Sequence, residues 1–140
     1  MRQVITAFLA VFMCMGLVGQ TLAQPKVEDA WVRLMPPNAT VTAAYAKINV
    51  SHADELIAVS SAIANKAEIH ESMMSDGVMS MRPVASMSLS EGETSELKPH
   101  GMHIMLMGLQ QALAEGDEVE LVLEFKESGS VTVPFVVRKP

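Results

Sequence analysis

Two histidines and two methionines stand at intervals that could gather a soft metal ion. His70 is followed by ten residues and then Met81; twenty-one more separate Met81 from His103, and Met105 lies two positions beyond. Imidazole is a borderline ligand and thioether a soft one. A set that combines them without carboxylate or thiolate favours Cu(I) over the hard divalent ions. Four such donors would enclose the ion, or three would hold it while the fourth exchanges. The intervals also set a structural demand: the donors lie on three separate segments, which a strand-rich fold can bring to one point and a single helix cannot.

Strand periodicity gives these side chains a common direction. If residues 102–107 are extended, His103, Met105 and Met107 share one face, while Met102, Ile104 and Leu106 point into the core. Asp76-Gly77 is a two-residue hairpin signal. The arms it predicts carry His70 on the incoming side and Met79 and Met81 on the outgoing side. Singly, each residue has an ordinary explanation, because methionine fills core gaps and histidine is commonly a surface hydrogen-bonder. Their combination is what points to a site on the surface of the domain. Met73 and Met74, in a polar segment, are candidates for secondary contacts, and His100, between Pro99 and Gly101, for a weak Cu(II) contact at a loop tip. His52 reads as solvated, and Trp31 and Tyr45 as core or rim aromatics.

Short β-patterned runs bounded by turn residues make up most of the chain. They are Lys26–Leu34, Ala43–Val50, Leu56–Ile63, Lys66–Ser72, Val78–Val84, Ser86–Leu89, Met102–Met107, a run over 118–125, and Val131–Val137. The clearest alternation sets Val119, Leu121, Leu123 and Phe125 against Glu118, Glu120 and Glu124. Pro36-Pro37 ends the first strand, since proline cannot continue a ladder. Eight or nine short strands at this spacing predict an all-β sandwich or barrel. Leu109–Ala114 could form one helical turn.

The first 23 residues read as an export signal. Arg2 precedes an apolar run from Val4 to Gly19, and Thr21-Leu22-Ala23 offers small residues for cleavage before Gln24. Lipidation at Cys14 is the weaker option, because Met13 stands where a small residue is required. Cleavage removes the one cysteine of the chain, which excludes disulfides, thiol chemistry and a blue-copper electron carrier. It leaves residues 24–140 as a single domain with no membrane span. Sixteen acidic residues against ten basic ones, net −6, disfavour nucleic acid as a partner.

The spacing resembles the H-x10-M-x21-H-x-M signature of the periplasmic copper chaperones of the PCuAC family. The likeness extends through Ala30-Trp31-Val32-Arg33 with Pro36-Pro37, Ala44 to Asn49, Ala67 to Glu71, Val78 to Val84, and His103 to Met107. It implies a cupredoxin-like, immunoglobulin-like Greek-key sandwich that binds one Cu(I) per chain through His70, Met81, His103 and Met105. It further implies a periplasmic monomer that hands copper to an acceptor: the Cu(A) subunit of cytochrome c oxidase or a thiol-bearing assembly factor. Glu71 stands where some members have methionine, so no extra thioether is expected there. Val131–Pro140 has no Met/His-rich tail, so no second site of that kind is expected.

Three functions fit these residues: copper delivery, copper buffering or resistance through the same site, and an exported interaction module without metal. An enzyme is the weakest reading. There is no Ser-His-Asp arrangement, and the donor set is poor for hydrolytic zinc.

Overall fold

A computed structural model describes residues 23–140; residues 1–22 of the expected export signal, Cys14 among them, lie outside the described residues. Ten strands form, with no helix among the described residues: β1 (Lys26–Arg33), β2 (Val41–Asn49), β3 (Asp54–Ser61), β4 (Ala64–Ser75), β5 (Val78–Pro83), β6 (Met87–Leu89), β7 (Thr94–Leu97), β8 (Met102–Leu109), β9 (Glu118–Phe125) and β10 (Gly129–Arg138). The expected strands are present, and β7 is the addition that brings the number to ten. Residues 110–114 carry bends and irregular backbone where a helical turn was expected.

The strands follow one hydrogen-bonded path, β5-β4-β8-β2-β1-β10-β9-β3-β6, with β7 pairing β2 off that path. The path folds over so that its two halves face each other as a β-sandwich. From one half come Ala44, Ala46, Ile48, Ile69, Ile104 and Leu106; from the other come Leu56, Leu121, Leu123, Phe125, Phe135 and Val137. Alternation drives this: in β9 every second side chain is buried, while Glu118, Glu120 and Glu124 face water. The first and last strands join the two halves at the middle of the path, with Trp31, Val32 and Arg33 pairing in parallel with Val136, Val137 and Arg138.

Three local features position the site. Asp76 and Gly77 both take positive φ, 50° and 75°, as the tight turn joining β4 to β5 demands. Between Glu28 and Trp31 the register of β1 on β2 shifts by a β-bulge, with Asp29 at φ 48°. And β2 changes partner along one edge: Val41–Ala44 pair with β8, whereas Ala46–Asn49 pair with β7. The ladder therefore forks opposite Tyr45, and the Lys98–Gly101 loop fills the fork.

Candidate metal centre

The register assembles the candidate donors. In the β4–β8 ladder His70 stands opposite His103, and Glu68 opposite Met105. In the β4–β5 hairpin Ser72 stands opposite Met81, and Met74 opposite Met79. Directly opposed residues point the same way, and so do residues two apart on one strand. His70, Met81, His103 and Met105 thus occupy one face of three adjacent strands. That face is turned away from the core, into which Ile69, Ile104 and Leu106 project.

The two imidazoles are more enclosed than a surface site would make them. His103 is only 2 % exposed, contrary to the expected surface position. Tyr45, its ring centroid 6.4 Å away, and the loop at the fork cover it. The His70 and His103 centroids are 6.1 Å apart. Trp31 stacks on the far side of Tyr45 at 4.6 Å, and Arg138 lies over the indole.

Hydrogen bonding fixes which nitrogen of each ring is free. His103 Nδ1 lies 3.0 Å from the Gly101 carbonyl, which can only accept, so Nδ1 carries the proton. The same carbonyl accepts the Ser72 backbone N–H, tying β4 to the loop. His70 Nε2 lies 2.9 Å from Glu68 Oε2. The Lys66 ammonium bonded to Glu68, with the His70 N–H, holds this carboxyl below its ordinary range, so it too acts as an acceptor. What remains is His70 Nδ1 and His103 Nε2. These are the two buried side-chain polar atoms among the described residues that have no hydrogen-bond partner. A ring nitrogen tied to a carboxylate or carbonyl while the other stays bare is how proteins present imidazole to a metal.

Beside the imidazoles opens a cavity of about 310 Å³ lined by His103, Met81 and Met105 together with Tyr45, Arg33, Met35, Met79 and His100. His70, opposite His103 in the ladder, does not line this cavity. Met81 is 54 % exposed and Met105 half-buried, so the two thioether residues are more open to solvent than His103. His100 adopts φ 66° at the fork and reaches the cavity rim. Glu71 turns to the opposite face and pairs with Arg82 at 3.0 Å. Met73 is on that face as well, whereas Met74 shares the face of the donors. Among the described residues no three His, Cys, Asp or Glu side chains converge as a group that could hold a metal ion.

Met35 is a thioether in the cavity lining that the sequence left unmarked. Met35 follows β1 just before Pro36-Pro37, and only the folding of that segment against β2 and β5 brings it to the site.

Solved structures share this architecture. The chain is 22% identical to the copper-bound PCuAC domain from PmoF2 (TM-score 0.70, covering 85% of this chain and 96% of that one). It is 23% identical to the apo PCuAC domain from PmoF1 (TM-score 0.71, 85% and 97%). For Cu(I)-bound DR1885 from Deinococcus radiodurans the identity is 25% and the TM-score 0.63, over 86% and 81%. These likenesses establish the PCuAC β-sandwich fold. By sequence, the chain is 28% identical over 114 residues to Lxx21020 of Leifsonia xyli subsp. xyli, which carries a lipoprotein name; the match spans 81% of this chain and 69% of that protein. Residues 26–137, all but the ends of the described sandwich, match the LpqE-like lipoprotein model, and the chain therefore belongs to the LpqE-like family.

Proposed function

We propose that this protein is a periplasmic Cu(I) carrier, not a catalyst. One ion is held by His70 Nδ1, His103 Nε2 and the thioethers of Met81 and Met105. The observation that carries this reading is the pair of bare, buried imidazole nitrogens on the face that also bears the two sulfurs. Leaving a buried polar group unpaired costs about 1–3 kcal/mol, and coordination of one soft ion relieves both nitrogens together. The copper-bound and Cu(I)-bound proteins that share the fold support the same cargo.

The uneven exposure of the donors suits delivery. Buried His103 and part-buried His70 hold the ion, and half-exposed Met81 is the ligand that an acceptor's donor can displace. Transfer runs downhill to a thiolate-bearing acceptor, for which the Cu(A) subunit of cytochrome c oxidase and its thiol-bearing assembly factor are the candidates. Anaerobic titration against a Cu(I) chelator should give one tight site, lost in His103→Ala and weakened in Met81→Ala. Mixing loaded protein with the apo Cu(A) domain or a dithiol partner should then move the ion. Equal affinity in wild type and His103→Ala would remove the site; tight binding without transfer would leave a copper buffer.

The lipoprotein names of the family and of the Leifsonia relative favour a second reading of the address, with attachment to the envelope through Cys14. Mass spectrometry of the exported protein separates the two: a mature start near Gln24, or a lipid-modified Cys14.

A further inference from the structure

We infer that Met79 and Met35 form a second, outer thioether site at the mouth of the cavity, through which Cu(I) enters and leaves the inner donors; this rests on the copper reading above. Met79 and Met81 are two residues apart on β5, so both present their side chains on the site face. Met79 and Met35 line the same cavity as Met81, Met105 and His103. One strand repeat beyond Met81, Met79 lies roughly 7 Å further along the hairpin. From there it addresses the opening and not the imidazoles. Directly across the hairpin stands Met74, on the same face.

Packing does not explain Met79 or Met74. Among the described residues the buried core takes in one methionine, Met87, whereas Met79 and Met74 are 41 % and 67 % exposed. An exposed methionine on an edge strand gains little from burial, and a short polar residue would serve the strand equally well. What methionine adds is a soft donor. The rim is also held in place: the Leu34 N–H donates to the Arg138 carbonyl and the Ala39 N–H to the Pro36 carbonyl, both at 2.9 Å, on either side of Met35. Arg33 on the same rim repels a divalent cation twice as strongly as a monovalent one, which sorts Cu(I) from harder ions at the entrance.

Methionine methyl NMR tests this directly. The purified protein, labelled with 13C at its methionine methyl groups, is titrated anaerobically with Cu(I) from zero to two equivalents. The first equivalent should shift the Met81 and Met105 methyls; the second should shift those of Met79 and Met35. In the Met35→Leu/Met79→Leu protein the first set of shifts should persist, and chelator competition should find that the second equivalent no longer binds. Leucine keeps volume and apolar character, so a mere greasy rim would leave the number of bound Cu(I) ions the same in both proteins. Shifts at Met81 and Met105 with none at Met79 and Met35 would overturn the outer site and leave the inner one standing. Shifts at Met79 and Met35 alone would uphold the outer site against the inner one. No shift at any methyl would overturn both.

Discussion

His70 and His103 face each other across the β4–β8 ladder with their rings 6.1 Å apart, and each offers the nitrogen that its own hydrogen bond leaves bare. The two bare atoms differ in kind, Nδ1 on one ring and Nε2 on the other. The anchors differ too: a carboxylate on the neighbouring β4 position for His70, a backbone carbonyl at the fork for His103. A side-chain anchor can be removed by mutation without disturbing the backbone, which makes the arrangement testable.

Glu68→Ala should lower Cu(I) affinity by about 10–100-fold, because His70 loses the partner that fixes its proton and its orientation. Glu71→Ala, on the opposite face of the same strand, should leave affinity unchanged. Chelator competition on both variants checks the contrast; equal affinities would detach Glu68 from the site.

Copper should stabilise the fold through the same four donors. A ligand present at one hundred times its Kd adds about 2.7 kcal/mol to the unfolding free energy. Leu106→Ala, which empties a fully buried position beneath the site, should cost about 2–5 kcal/mol. Excess Cu(I) should restore much of that loss in the Leu106→Ala protein and none of it when His103→Ala is added. Thermal melts with and without Cu(I) read the difference.

Asp54 should make stability acid-sensitive. Burial pushes its carboxyl up, but the Ser128 hydroxyl and the backbone N–H groups of Glu127, Glu55 and Ser128 outweigh burial and hold it below the ordinary value. The folded state thus binds this proton less readily than the unfolded chain. The contribution is complete above an unfolded value of about 3.9 and is lost as pH falls through the folded one. Asp54→Asn should cost about 1–3 kcal/mol at neutral pH and flatten the fall in stability below about pH 4. Urea unfolding across pH 3–7 is the check.

Gly108 should tolerate no side chain. Its φ is 67°, and an added Cβ would sit 2.7 Å from Asn65 Nδ2 and 2.9 Å from Asn65 Cβ. Gly116 also has a positive φ, 89°, but opens onto free space. Gly108→Ala should therefore destabilise by more than Gly116→Ala, which is expected to cost about 1 kcal/mol from backbone strain. Chemical denaturation of the two variants ranks them.

The sequence made the donors legible because strand alternation does the geometric work: once 102–107 is extended, His103 and Met105 must share a face. The hairpin was legible for a similar reason, since Asp76-Gly77 admits few alternatives. β7 was not, because Thr94–Leu97 buries only Leu97 and so shows no alternation. The enclosure of His103 was also hidden. It depends on Tyr45 and the Lys98–Gly101 loop, which meet it only because β2 changes partner, and no local pattern encodes that. Met35 escaped notice for the same physical reason: its place at the rim is a long-range consequence of the β1–β2 connection.

The bulge in β1 acts as a frameshift. Before it, Val27 pairs with Ile48 and odd-numbered side chains face inward; after it, Trp31 pairs with Tyr45, and Val32 is the one sealed inside. Were the same residues paired regularly, without the bulge, the indole would be driven among the aliphatic side chains and Val32 turned out to solvent. That single supernumerary position sends Trp31 to the histidine side, where it backs the tyrosine that roofs His103. Any change that abolished the bulge while keeping every residue would swap the two sides, and the stack over the imidazole would vanish with it.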